Sequence, residues 1–291
     1  MDSSKASCHA RSTSLPSESH PLVACVQDKL RKFRSSEATS LTKLDGLKGL
    51  YESVDDLLQI PLAQRAFSHE QNVKSVQDIL DGSVRLLDIC STTKEVLSQV
   101  KCCLQDLESS LRRNNGCQSR LENEIKKYMV SREKVHKIVE KCLGNLKKLQ
   151  KCNLAVRDKG PDLEAIVSIL REVEGISLAT FESFLSSICP PKARAKTACR
   201  WSLITKLIQS KHVPYDEDSE KDGNQVEKVD ASLIALSKQK FSENIHFIQV
   251  QRLQKGLETL NSSIKEVEDG LDSVFRCLIK TRVSILNNLS H

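Results

Sequence analysis

Seven histidines and eleven cysteines are the residues of this chain best suited to hold a metal or attack a substrate. Their spacing argues against both. His9, His20, His69, His136, His212, His246 and His291 never recur at the H-x-x-x-H or H-E-x-x-H spacing that puts two imidazoles on one helix face. Cys102 and Cys103 are adjacent, no C-x-x-C pair occurs, and Cys8-His9 lies where no scaffold would orient ligands. No G-x-x-x-x-G-K-[ST], G-x-G-x-x-G or G-x-S-x-G stretch is present. Asp45-Gly46-Leu47-Lys48-Gly49 has glycines, but it sits in a helical pattern with no strand before it. Acid pairs such as Asp55-Asp56 fall on polar helix faces, where solvation is the default role. The expectation is a protein without catalytic residues, cofactor or metal.

One short motif does carry a chemistry. In Arg11-Ser12-Thr13-Ser14-Leu15-Pro16, Arg11 stands three residues before Ser14, the spacing that basophilic kinases select. R-S-x-S-x-P also resembles the phosphoserine motif bound by 14-3-3 proteins. A phosphate on Ser14 would add nearly two negative charges and oxygens for an arginine cluster to grip. Ser14 is the candidate phosphosite, with Arg11, Ser12 and Pro16 as its context. The alternative is a solvated, Ser-rich leader.

Charge marks three further stretches. Residues 120–159 hold twelve Lys/Arg against five Asp/Glu. Nucleic acid would fit such a face. Tyr128, its only aromatic, lies on the apolar seam, so base stacking has no platform. A solvated face, or one turned toward acidic lipid or a protein, fits better. Residues 192–211 contain Lys192, Arg194, Lys196, Arg200, Lys206 and Lys211 without an acid, and Trp201, Leu203, Ile204, Leu207 and Ile208 give them a short amphipathic pattern. Residues 213–230 reverse the sign, with seven acids against two lysines, and with Pro214 and Gly223 they read as an exposed linker.

The elements that must position these features read as helices. Residues 1–20 lack apolar period and read as a disordered leader. Leu22, Val26, Leu30 and Phe33 line a first helix after Pro21; Leu41, Leu44, Leu47, Tyr51, Val54 and Leu58 line a second, which Pro61 ends. A long segment from about Ser68 to Arg113 carries Val73, Val76, Leu80, Leu87, Cys90, Leu97, Val100, Leu104, Leu107 and Leu111, with Ser83 filling one slot. Asn114-Asn115-Gly116 stops it. The next helix holds Leu121, Ile125, Tyr128, Arg132, Val135, Val139, Cys142, Leu146 and Leu149 at strict 4,3 spacing, with Arg132 expected to snorkel to solvent. After Lys159-Gly160-Pro161 a further helix carries Leu163, Ile166, Leu170, Val173, Phe181, Phe184 and Ile188, and Pro190-Pro191 ends it.

The last helix is predicted from about Ala231 to Leu289. Its seam is Val250, Leu253, Leu257, Leu260, Ile264, Val267, Leu271, Val274 and Leu278, spaced 3,4 throughout. The flanking e and g positions are Gln254, Gly256, Asn261, Ser263, Glu268, Gly270, Phe275 and Cys277. Only one is charged, whereas a two-stranded coiled coil places opposite charges there. Small flanks widen the buried face, so the helix should pack on more than one neighbour within its own chain.

Composition agrees. Aromatic residues are 4%, against 39% hydrophobic, which favours packed helices over a sandwich or barrel. The fold expected is an all-α, elongated antiparallel helical bundle: one domain over residues 21–291 after the leader at 1–20. The start of the sequence has no apolar h-region and no run of about 18 apolar residues follows, so neither a secretory signal nor a membrane span is expected. With no disulfide framework in its cysteines, a reducing interior, cytoplasmic or nuclear, is the natural reading.

Three stretches together resemble one family. They are His9-Ala10-Arg11-Ser12-Thr13-Ser14-Leu15-Pro16 with Ser19-His20-Pro21, then Trp201-Ser202-Leu203-Ile204-Thr205-Lys206-Leu207, and then the tail from Leu271 to Asn287. They are similar to the plant BYPASS-like family, long described as a domain of unknown function, and the resemblance runs from about residue 9 onward. It implies a land-plant protein connected with root and shoot development, and it transfers no catalytic residues. Three functions follow as expectations. The first is a non-enzymatic regulatory or scaffold protein acting through protein contacts, with a 14-3-3 protein as one candidate partner at the leader. The second is a peripheral membrane-trafficking adaptor that uses basic helix faces on anionic lipid. The third, and weakest, is a nucleic-acid-binding protein.

Overall fold

A computed structural model describes residues 20–36, 39–68, 73–113, 118–153, 161–188, 229–230, 232–233 and 243–290. Among them every regular element is a helix: α1 (Pro21–Ser35), α2 (Ser40–Leu58), α3 (Pro61–Ser68), α4 (Val73–Arg113), α5 (Gln118–Asn153), α6 (Pro161–Ile188) and α7 (Glu243–Leu289). The fold class is all-α, as the heptad spacing predicts.

The helix starts follow ordinary capping chemistry. His20 accepts the Leu22 amide on Nδ1 at 3.2 Å, with Pro21 at the first helical position. Thr39 accepts the Thr42 amide at 3.4 Å. Pro61 behaves differently from its expected role. It ends nothing, because α2 closes at Leu58; instead it opens α3, where the Ile60 carbonyl accepts the Ala63 amide at 3.0 Å. A proline in a first turn loses no helical hydrogen bond.

At 1.5 Å per residue the 41-residue α4 spans about 60 Å and the 47-residue α7 about 70 Å. Contacts along their length set the topology. Arg282, Leu271, Asn261 and Glu258 of α7 meet Leu80, Cys90, Glu108 and Arg112 of α4 in turn, an antiparallel pairing. Ser110 meets Glu124, so α5 also runs antiparallel to α4. Two contacts are parallel: α4 with α6, through Asp78–Arg171 and Arg85–Glu174, and α2 with α7, through Leu44–Gly270 and Leu58–Asn288.

At one end of the bundle α2, α6, α4 and α7 form a closed ring, each touching the next, with α1 and α3 packed outside. Val54, Leu57, Leu97, Phe181, Leu271 and Val274 belong to one continuous apolar core. α7 contacts α2, α3 and α4, which is the multi-neighbour packing that its small flanks imply. Gly270 shows why: a Cβ there would lie 3.2 Å from Leu44 Cδ1.

Candidate interaction surfaces and the polar contacts behind them

Of the nine seam residues, Leu253, Leu257, Leu260, Ile264, Leu271, Val274 and Leu278 are buried, and Val250 and Val267 are half-buried. The seam does not stop at Leu278. The 3,4 spacing continues through Thr281, Ile285 and Asn288, all buried, with Ser284 buried beside them. Sequence reading misses these because three of the four are polar; the spacing itself is the signal that finds them.

The polar groups of Ser284 and Asn288 are matched, whereas the Thr281 hydroxyl is buried without a hydrogen-bond partner. Asp55 of α2, only 5% exposed, accepts the Ser284 hydroxyl at 2.6 Å and the Lys280 ammonium at 2.8 Å. Gln59 donates to Ser284 at 3.3 Å, and Asn288 donates to the Leu58 carbonyl at 2.8 Å. Hydrogen bonding to Asp55 and its charge raise the Lys280 pKa. Arg282 donates to the Leu80 carbonyl and to Ser83 Oγ of α4. The family-like tail thus locks α7 to α2 and α4. Asp55, read from sequence as a solvated acid, is a buried structural acceptor.

Further along α7 the flanking positions also find partners. Asn261 donates to Glu108, Lys101 pairs with Glu268, and Lys94 pairs with Asp272 while its ammonium sits 5.1 Å from the centroid of the Phe275 ring.

A second polar cluster corrects the reading of Arg132. Its side chain is 12% exposed and does not snorkel. It donates to the Ile188 carbonyl and pairs with Asp230, both at 3.2 Å, while Tyr128 donates to Asp230 at 2.7 Å. Burial first, and then the Asp230 charge, raise the Tyr128 pKa, so the phenol stays a donor. Val229 is buried beside this cluster, and residues 229–230 are helical. The end of the acidic stretch is therefore part of the fold rather than a linker; its earlier residues lie outside those described. So do Arg11, Ser12, Ser14 and Pro16, Trp201 and the whole of 192–211.

The thiols of the core are not primed for attack. Burial pushes Cys90 up to about 12 and also raises Cys103, Cys142 and Cys277. A protonated thiol is a poor nucleophile and a poor metal ligand. Among the described residues no group of three or more His, Cys, Asp or Glu side chains could hold a metal ion, and no helix is long and apolar enough to cross a membrane.

Among the described residues two exposed helix faces stand out. On α7, Ile279, Val283, Leu286 and Leu289 are exposed, at 42, 48, 40 and 39%, on one side of the helix. Arg276 and Lys280 flank them, and no acid occurs after Asp272. On α5, a row of lysines faces away from α4 and α6.

A family model described as Protein BPS1 matches residues 43–287, from α2 to the last turn of α7. No curated protein and no solved structure matches the chain.

Proposed function

Because the chain belongs to the BPS1 (BYPASS1) family, we propose that it serves plant root and shoot development as a non-enzymatic scaffold, acting through protein contacts in the cytoplasm. The observation that carries this reading is the exposed apolar stripe of α7. The opposite side of the same turns is fixed to α2 and α4 by Ser284, Arg282 and Asn288. The stripe is therefore presented in a set orientation rather than on a loose end. Exposed aliphatic residues at 4,3,3 spacing suit an amphipathic helix of another protein. Arg276 beside them favours a partner with an acidic flank.

The phosphoserine motif adds a second contact to the same reading. Phosphorylation of Ser14 would recruit a 14-3-3 protein to the leader without involving the bundle.

The test pairs tissue with purified components. Proteins bound by the intact chain in root tissue are identified, made recombinantly and titrated against the wild-type chain and the Ile279→Glu/Val283→Glu variant. A partner of the stripe binds the variant at least about tenfold more weakly, as loss of two apolar anchors and added like charge require. The variant's thermal melting stays near wild type, since both side chains are exposed. Unchanged affinity for every identified partner refutes the stripe as the contact. The same titration with Ser14→Ala reads the leader separately.

A further inference from the structure

The outer face of α5 carries a row that neither the fold nor the proposed scaffold contact uses. Lys126, Val130, Lys134, Lys137, Lys141, Asn145 and Lys148 follow at 4,4,3,4,4,3 spacing, which keeps them on one side of the helix. All seven are exposed, and Val130 is 58% exposed in their midst. The row is about 33 Å long at 1.5 Å per residue.

Its geometry is unlike that of a generic solvated face. α5 packs on α4 and α6, so its inner side is committed and the row points outward from a rigid rod. Some exposed cations elsewhere in the molecule are taken up locally, Lys32 by Asp28, Lys94 by Asp272, Arg112 by Glu108 and Glu258 and Lys280 by Asp55, while others such as Lys74, Lys255 and Lys265 stand singly rather than in a row. Lys126, Lys134, Lys137, Lys141 and Lys148 make no ion pair with a described residue. Of the acids of α5, Glu124 lies on the far side and pairs with Lys127, while Glu122, Glu133 and Glu140 border one edge of the row, Glu140 in contact with His136.

We infer that this row is a docking surface for an anionic phospholipid bilayer, with α5 lying along the plane of the membrane. Three features select a bilayer over other polyanions. The cations are all lysines, which act as point charges on flexible stems rather than as forks for a base edge or a single phosphate. An exposed valine in the centre of a cationic row gains by entering the headgroup region and gains nothing from nucleic-acid phosphates. Lipids diffuse beneath any straight row of charge, whereas a protein partner would need acids placed to match it. Each lysine near an anionic leaflet adds to binding, and the sum is screened by salt.

The test is flotation of the full chain with phosphatidylcholine vesicles, with and without phosphatidylserine, at low and high salt. Binding appears only with phosphatidylserine and falls as salt rises. Lys134→Gln/Lys137→Gln/Lys141→Gln lowers it by at least about tenfold, given the contribution expected of each lysine. Lys74→Gln/Lys255→Gln/Lys265→Gln removes the same charge from exposed sites on α4 and α7 and leaves binding within about twofold. Circular dichroism confirms that both variants fold. Equal loss in the two variants would mean that net charge alone acts, and absence of salt-sensitive binding would mean that no lipid surface is engaged; either overturns the inference. Tighter binding to an RNA or DNA duplex than to vesicles, with the same variant pattern, would assign the row to nucleic acid instead and refute the bilayer.

Discussion

Replacing Arg132 by methionine separates two accounts of the α5 seam. Methionine keeps most of the apolar stem and removes the guanidinium. If Arg132 snorkelled, the substitution would change stability by no more than about 0.5 kcal/mol, as at most surface sites. In the structure it removes two charge-assisted hydrogen bonds, to Asp230 and to the Ile188 carbonyl. It also leaves the Asp230 carboxylate, with only 24% of its side chain exposed, facing the Tyr128 hydroxyl alone. Breaking a fully buried pair costs about 3–5 kcal/mol. Partial exposure of Asp230 reduces this toward the value of one hydrogen bond to a charged group, so the expected loss is about 2 kcal/mol. For a chain of this size that lowers the melting temperature by about 5 °C. Urea unfolding of wild type, Arg132→Met, Asp230→Asn and the double variant closes a cycle, whose coupling should be about 1–2 kcal/mol. A single-variant loss below about 0.5 kcal/mol, or additive singles, would refute the claim that this pair pins residues 229–230 to α5.

Two glycines should respond in opposite senses. Gly144→Ala, exposed in mid-helix with no atom within 4 Å of the new Cβ, should stabilise by about 0.5–1 kcal/mol, whereas Gly270→Val, pressed against Leu44, should destabilise by about 1–3 kcal/mol in the same urea assay. Thr281→Val should raise the melting temperature. The Thr281 hydroxyl is buried without a hydrogen-bond partner beside a cavity of about 30 Å³ that Tyr51, Leu86, Glu174 and Ile285 help to line, and the substitution keeps its shape while removing the unpaired group; an unchanged or lower melting point counts against it. Alkylation at pH 8 read by mass spectrometry should label exposed Cys25 and Cys102 and spare Cys90, whose raised pKa and burial both oppose reaction. Raising the pH from about 9 toward 12 should then cost stability, because the Cys90 pKa is higher folded than unfolded and that contribution is complete only below the unfolded value; a Cys90→Ala variant should lose less over the same range.

The helices were legible because each apolar stripe keeps a 3,4 period long enough to exclude other structures. The small e and g residues of α7 told correctly that it has several neighbours, since a glycine beside a seam leaves room that only another helix can fill. What escaped was polar. Thr281, Ser284 and Asn288 lie on the buried side of the seam, but hydropathy hides them, and Asp55, Gln59 and Leu58, the partners of Ser284 and Asn288, lie more than two hundred residues away. Arg132 was misjudged for the same reason: a lone cation on an apolar face snorkels only if no acid arrives, and Asp230 arrives from 98 residues downstream. Helix α3 was lost because a proline stops one helix and starts another with equal ease. The lysine row of α5 showed in the sequence as net charge, but its lack of ion-pair partners among the described residues needed the packing of the other helices.

The contacts that close the ring join segments made far apart in time. Asn288 bonds Leu58 across 230 residues, and Ser284 bonds Asp55 across 229. At about 5–20 residues per second, α2 waits roughly 10–50 s on the ribosome before its partner on α7 exists. Until then one apolar side of α2 and one of α4 have nothing to bury against. Closing this end of the bundle thus waits on α7, and the long stretch of chain between its decisive contacts slows that step.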